Sequence, residues 1–388
     1  MRSPIATLMT FVAVAGMGLG AGAQPAVAQC ECGTILTPEG AKRALELIAA
    51  GAYDPKPGPR AIVYVPLTFH VVRMSTGEGG LPADRICETL DDVDVGFLDT
   101  DIQFYLGGPI DYIDDDDFYY NIDTMGEINA LRRTNVVPAT INCYFTENLA
   151  RESGPICGIS SFTWSPVQGI VMDNDCTAVW WNHTTFPHEV GHYFDLVHTH
   201  ETAYGAECVD GSNCDTAGDL LCDTPADPGL GNHNVTGACI YVGDETDPCH
   251  GDPYDPDTTN MLSSSRPSCR TSFTPQQTDK ARATLFNLRP ELVHYELPAP
   301  FDCNANGVRD DCDIANGTSS DVNANGVPDE CECVGDLDGD DDTDQGDLGV
   351  LLADWNCTGG NCDGDLDADG DTDQGDLGIL MADWGCTP

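Results

Sequence analysis

Three histidines, His188, His192 and His198, stand four and six residues apart in the stretch "FPHEVGHYFDLVHTH", with Glu189 directly after the first. Residues four apart share one face of a helix, so His188 and His192 can aim two imidazoles at one ion. The spacing is H-E-x-x-H, in which the glutamate sits beside the ion, placed to polarise a water molecule. His198 is beyond the reach of a straight helix, so the helix must end and the chain turn back to deliver a third ligand. Three neutral imidazoles leave the fourth position of a tetrahedral zinc ion open, the geometry of a hydrolytic rather than a structural site. Glu189 would take a proton from water and pass it to a leaving amine. H-E-x-x-H alone arises by chance; the third histidine in register makes the reading specific.

The elements that must position these residues are legible around them. "IVYVPLTFHVV" (62–72) is rich in β-branched and aromatic residues and reads as a strand. "ADRICETLDDVDVGFL" sets Ile86, Leu90, Val93 and Phe97 at helical spacing. "DIQFYL", "TINCYF", "ISSFTW" and "GIVMD" read as further strands, the last two split by Ser165-Pro166. Strands alternating with helix up to residue 173 predict a mixed sheet backed by helices. Residues 184–197 should form the histidine helix, capped by Thr184 or Thr185, with Pro187 in its first turn. From 199 to 272 the chain is full of Gly, Pro, Asp and Cys, which predicts an irregular region held by disulfides, with Cys269 closing onto Cys239 or Cys249. "FTPQQTDKARATLFNL" then opens a last helix with Thr274, Pro275 and Gln277 forming a capping box.

The chain's start bounds its compartment. Arg2, an apolar stretch and "AVA" (26–28) read as a signal peptide, residues 1–28, removed on export. No other stretch could span a bilayer. Residues 29–60 hold a short helix, "AKRALELIAAG", and the linker "YDPKPGPR". The chain has 65 acidic and 16 basic residues, a net charge of −49, which argues against nucleic-acid or anionic-membrane partners. Its 19 cysteines belong mostly in disulfides in an exported protein, and the odd number leaves at least one over.

"HEVGHYFDLVH" resembles the long zinc motif of the metzincins, H-E-x-x-H-x-x-G-x-x-H. "FPHEVGHYFDLVHTHET", "AGDLLCDTP" and "CRTSFTPQQ" are similar to one metzincin branch, the pappalysin family of metallopeptidases, over roughly residues 30–295. The resemblance implies an α+β metzincin fold over 61–298: a twisted mixed sheet over the active-site helix, then an irregular, disulfide-rich lower subdomain. It implies that His188, His192 and His198 bind zinc and that Glu189 is general base and acid. A protein or peptide substrate would lie along the edge supplied by "GISSFTWSPVQGIVM", by strand addition. It also implies that 29–60 is a pro-segment in which Cys32, the cysteine of "CGT", is a switch whose thiolate fills the zinc's open position in a zymogen. Without Cys32 the remaining 18 cysteines could pair fully; ordinary disulfides of Cys30 and Cys32 are the alternative. Three positions depart from the family. Asp195 stands where the turn carries glycine. Counting back from Cys269, Leu262 rather than Met261 falls at the methionine beneath the metal, unless a one-residue shift restores Met261. Ser264 replaces a frequent tyrosine, a role for which neither Tyr193 nor Tyr204 can be assigned.

From Asp302 onwards 24 acidic residues face one basic residue, Arg309. Four loops share oxygen side chains at positions 1, 3, 5, 9 and 12, the EF-hand spacing for calcium. In residues 299–333 these are Asp302, Asn304, Asn306, Asp310 and Asp313, then Asp321, Asn323, Asn325, Asp329 and Glu332. In residues 334–388 they are Asp336, Asp338, Asp340, Asp344 and Asp347, then Asp365, Asp367, Asp369, Asp373 and Asp376. Position 6 is glycine except at Asp341. The last two loops, 29 residues apart and each followed by a similar helical text, resemble a dockerin pair, which implies a docking or surface partner. Trp355 and Trp384 should fill the small core of each repeat. The sequence thus predicts a secreted zinc endopeptidase made as a zymogen, with structural calcium in its tail. The alternative is an inactive metzincin, or a calcium-dependent surface or scaffold binding protein.

Overall fold

The computed structural model of the chain describes residues 32–55, 61–296, 303, 308–321, 327–340, 342–359, 362–367 and 369–386. The expected signal peptide, Cys30, and the loop positions Asp302, Asn304, Asn306, Asn323 and Asn325 lie outside the described residues. In chain order come α1 (Pro38–Ala49), β1 (Val63–Arg73), α2 (Ala83–Gly96), β2 (Ile102–Leu106) and β3 (Asp111–Asp114). The short helices α3 (Asp116–Tyr120) and α4 (Met125–Leu131) follow, then β4 (Ile141–Thr146) and the tiny hairpin β5 (Ala150–Arg151) and β6 (Gly154–Pro155). β7 (Gly158–Ile159) and β8 (Ile170–Asp173) lead into α5 (Thr185–Tyr193), which carries H-E-x-x-H.

The sheet runs β2-β1-β4-β8-β7, with β3 continuing along the edge of β1 that β2 begins. All pairs are parallel except β7–β8, so the sheet is mixed and ends in one antiparallel edge strand. Helices cover both faces, which is why β1 reads as an unbroken apolar run. Val65, Leu67 and Phe69 of β1 face Leu90 and Val93 of α2 and Phe186 and Val190 of α5. On the other face Val72, Tyr144 and Val171 pack on Ile128 and Leu131 of α4. The histidine helix is thereby fixed beneath the sheet, next to the edge strand.

Two expected elements differ. "ISSFTW" contributes only Ile159 to a strand. Beyond it the backbone donors are claimed by side chains rather than by a neighbouring strand: Ser160 N by Thr34 Oγ1 (2.7 Å) and Thr163 N by Asp195 Oδ1 (2.8 Å). The histidine helix stops at Tyr193, four residues short of the expected end, because Asp195 turns the chain.

Residues 199–272 are irregular as expected, stapled by Cys208–Cys249, Cys214–Cys222 and Cys239–Cys269. They return to α6 (Pro275–Leu288), whose capping box joins Thr274 and Gln277. The parity argument for the cysteines does not hold. Besides Cys32, Cys87, Cys143 and Cys312 are outside disulfides. Cys143 is an apolar filler of β4 in the main core, and Cys312 is buried against the same core, where Cys87 of α2 also packs.

The tail's first helix, α7 (Asp310–Asn316), docks on the sheet domain. Arg309 pairs with Asp94 of α2 (2.7 Å) and donates to Phe104 O (3.0 Å). Two similar units follow, α8 (Gln345–Ala353) and α9 (Gln374–Ala382), each N-capped by the loop's ninth residue, Asp344 or Asp373. They brace each other reciprocally. Asp383 after α9 accepts Gly335 N (2.7 Å) and Thr343 Oγ1 (2.8 Å) in the first loop, while Asp354 after α8 accepts Gly364 N and Thr372 Oγ1 (both 3.0 Å) in the second. The core of each repeat is Leu351 or Leu380, fully buried. Neither tryptophan fills the core as expected: Trp355 is half-buried and Trp384 is 41% exposed.

Candidate metal centre and active site

Thr184 stands at the N-cap of α5, as expected, but makes no side-chain cap bond; Asn182 supplies the acceptor instead. Its Oδ1 accepts Thr185 N (3.2 Å) and the Thr185 hydroxyl (2.9 Å). The Thr184 hydroxyl donates to Pro267 O (2.9 Å). The buried Arg270 then clamps this turn through Nε to Thr184 Oγ1 and Nη2 to Thr185 Oγ1, both 3.1 Å. At the other end Asp195 adopts φ 61°, the left-handed conformation that aspartate tolerates better than most residues. Leu196 N reaches back to Gly191 O (3.1 Å), and the reversed chain brings His198 under the helix.

The three imidazoles converge. His188 and His192 Nε2 are 3.1 Å apart, and His198 Nε2 lies 3.3 and 3.2 Å from them. Nitrogens held at about 2.0–2.1 Å by one tetrahedral zinc ion stand about 3.3–3.4 Å apart, so the donor set fits that ion. Carbonyl acceptors orient two of the rings: His188 Nδ1 donates to Met261 O and His192 Nδ1 to Leu196 O, both at 2.7 Å, which leaves each Nε2 lone pair facing inward. Burial lowers the pKa of all three, that of His192 to about 4, and keeps them neutral as metal binding requires. Cys32 Sγ is 3.4 Å from His192 Nε2, and its ligand atom and those of the histidines all lie within 4.8 Å of one another. Burial, followed by the charge of Glu189, pushes the Cys32 thiol up, so a thiolate there needs a cation at the histidines.

Glu189 is fully buried beside them, and burial lifts its carboxyl to about 7. The edge strand passes directly over it. A Cβ at Gly158 would lie 2.7 Å from Glu189 Cγ, so only glycine lets β7 approach. Beneath α5 lies Leu262, whose side chain would meet any Cβ placed at Gly191 at 3.0 Å. Met261 points instead towards Gly96, near Pro187. The floor is therefore the leucine that counting from Cys269 selects. Its loop is tied by Asn260, whose Oδ1 accepts Leu262 N (2.9 Å) and whose amide pairs with Gln277 in both directions (2.9 and 3.1 Å). Tyr193 is buried under Arg289, 3.5 Å from its ring, and Tyr204 bonds Ala41 O. Ser264 lines the cavity that opens onto the metal site, together with Cys32, Thr34, His198 and His200.

The segment before residue 56 covers this site. Cys32 bridges Gly158 in the parallel sense, and Gly33 N donates to Gly158 O (2.7 Å). The Thr34 hydroxyl donates to Glu189 Oε2 (2.9 Å) and accepts Ser160 N (2.7 Å). Leu36 and Ala41 of this segment cluster with Phe162 and Val197, and the Tyr53 hydroxyl donates to Asp195 Oδ2 (3.0 Å). Thr34, Arg270 and Asn182 are site residues that sequence reasoning missed. The threonine of "CGT" was in view, but nothing in its spacing tied it to Glu189.

A neutral histidine triad with a buried carboxylate beside it, under the edge of a mixed α+β sheet, is a metallopeptidase-type site. Residues 140–286 match the family model described as Pregnancy-associated plasma protein-A, a peptidase family. An extracellular metalloprotease of Verticillium alfalfae is 26% identical over 257 residues, 62% of this chain and 85% of that protein. A promirolysin mutant from Tannerella forsythia has a solved structure with a TM-score of 0.51 and 17% identity, matched over 67% of this chain and 96% of that one, a likeness of fold. The family match and the extracellular relative support a metalloprotease, and the solved structure a shared fold. Among the described residues no helix is long and apolar enough to cross a membrane.

Proposed function

We propose that the chain is a secreted zinc endopeptidase made as a zymogen, with His188, His192 and His198 as ligands, Glu189 as general base and acid, and Cys32 as the switch. The observation that carries this reading is the convergence of three neutral Nε2 atoms with the Cys32 thiol at the fourth corner. Zinc in this site supplies Lewis acidity towards water and a peptide carbonyl. Glu189 accepts a proton from water at Oε2 once Thr34 has left that atom, and returns it to the leaving amine. Once Cys32 and Gly33 have left Gly158, the edge of β7 orients an extended substrate by backbone hydrogen bonds. Leu262, buried against Gly191 of the histidine helix, is the residue we assign to the floor. Export is supported by the leader-like start of the sequence, by the disulfides, and by the extracellular relative.

In the tail we assign calcium to the loops opened by Asp336 and Asp365. Asp347 and Asp376, their twelfth residues, turn inwards in the same way, accepting the N–H groups of Leu337 and Leu366 at 2.6 and 2.7 Å. Asp310, Asp313, Asp321, Asp329 and Glu332 belong to the preceding pair on the same grammar. A docking or surface partner for this module is part of the same proposal.

The test is cleavage of a mixed peptide library by the chain trimmed before residue 61, with zinc and calcium present. Cleavage lost both with a zinc chelator and in Glu189→Ala supports the peptidase; a protein that binds zinc stoichiometrically yet cuts nothing reverts to the binding-protein reading.

A further inference from the structure

A cavity of about 610 Å³ opens beside the edge strand, between α4, the β5–β6 hairpin and the segment after β7. The covering pro-segment forms one wall and contributes the only carboxylate there, Glu39. The other wall combines apolar surface, Ile159, Phe162 and Trp164, with two guanidinium groups, Arg132 and Arg151. Arg132 is only 3% exposed; Nη2 donates to Ile159 O (2.7 Å), but its Nε has no hydrogen-bond partner. Arg151 Nη1 donates to Gly33 O (2.5 Å), a contact that leaves with the pro-segment. Among the described residues neither arginine forms an ion pair. Burial lowers the pKa of Arg132 to about 10, so it stays charged at neutral pH.

Two cations without an ion pair in the groove of a chain with net charge −49 are a local reversal of its field, Arg132 being offset only by the charge of the buried Glu189. The desolvation of Arg132 is already incurred on folding, so a carboxylate arriving there gains a charge-assisted, fork-shaped contact at little further cost. We propose that Arg132 and Arg151 form a subsite for an acidic side chain of the substrate, within three residues of the scissile bond. The site lies where β7 runs on from Gly158, over Glu189, towards Phe162. A substrate antiparallel to β7 puts there the residues before the scissile bond. This subsite rests on the peptidase reading.

The test uses the mature chain, cut between Arg60 and Ala61, loaded with zinc and carrying Glu189→Ala so that bound peptide survives. Peptide pairs that differ only by Glu or Gln at the second or third residue before the cleavage position are compared by calorimetry. The glutamate peptide should bind about tenfold more tightly, the size of one charge-assisted contact. Arg151→Ala should abolish that preference, and Arg151→Glu should turn it towards lysine, a reversal that mere loss of packing cannot produce. Equal binding of the two peptides by the parent chain would overturn the subsite. Cleavage profiling with Glu189 intact separates the two claims. Chelator-sensitive cleavage without acidic preference sinks the subsite alone. Acid-selective binding without any cleavage removes the peptidase and overturns the subsite as a substrate subsite, leaving only a groove that binds acidic peptides.

Discussion

The grip of the pro-segment can be tested at an atom that is not a metal ligand. The Thr34 hydroxyl sits between Glu189 Oε2 (2.9 Å) and Ser160 N (2.7 Å), both buried. Thr34→Val keeps the shape and branching of the side chain and removes only this bridge. A hydrogen bond to a charged acceptor contributes about 1.5–3 kcal/mol and a neutral one about 0.5–1.5 kcal/mol. Their joint loss is about 3 kcal/mol, or about 100-fold in affinity. The assay is inhibition of the chain trimmed before residue 61 by a synthetic peptide of residues 29–55, with parallel anisotropy binding of the labelled peptide. The valine peptide should inhibit about 100-fold less well, with Cys32 intact in both. Tyr53→Phe removes a single bond to Asp195 (3.0 Å) and should cost about fivefold. If the valine peptide inhibits within threefold of the parent, the thiol alone holds the segment and the bridge at Glu189 is incidental.

Other consequences concern stability and the tail. Asp219 and Glu207 are pushed up to about 7, mainly by burial and then, for Glu207, by Asp219. Their unfolded forms lose protons near pH 4 while the native forms hold them, so the contribution to stability falls as pH rises from about 4 to 7 and is then flat. Thermal midpoints at pH 5 and pH 8 should therefore differ less in Asp219→Asn than in the parent; an unchanged difference would show that the pair does not carry the slope. Arg309→Ala breaks the mostly buried pair with Asp94, for an expected loss of about 2 kcal/mol after allowing for the partial exposure of the aspartate. Limited proteolysis between 296 and 310 should accelerate while cleavage by the trimmed enzyme stays the same. Calcium removal should make residues 334–388 protease-sensitive and leave 61–296 intact, whereas equal resistance with and without chelator would remove structural calcium from the account.

The part of the fold that follows from periodicity was legible. β1, α2, β4 and α6 lie within one to three residues of their expected spans because each buries a regular pattern against one core. What escaped was set by single long-range side-chain contacts. The "ISSFTW" strand failed because Thr34 and Asp195, distant in sequence, claim its donors. The cap bond of α5 comes from Asn182 and is reinforced by Arg270, some 85 residues beyond it, and no local rule connects them. The cysteine count misled because a buried thiol such as Cys143 can serve as a small apolar side chain, which parity cannot detect.

The departures from the family motif are informative for the same reason. A glycine at 195 would satisfy the turn and nothing else. Aspartate satisfies it at φ 61° and adds a carboxylate that Thr163 N, the Thr163 hydroxyl (2.6 Å) and the Tyr53 hydroxyl all use. One residue at the turn that delivers His198 therefore joins three parts: the end of the histidine helix, the segment after β7, and the N-terminal segment that covers the site. The turn is held through its side chain where glycine could hold it only through backbone. The two Thr163 contacts do not depend on residues 32–55, so the turn that delivers His198 is held without them. Leu262 packs against Gly191 of the histidine helix, while Met261 packs towards Gly96 of α2. Both exchanges keep the positions of the imidazoles and alter only what surrounds them.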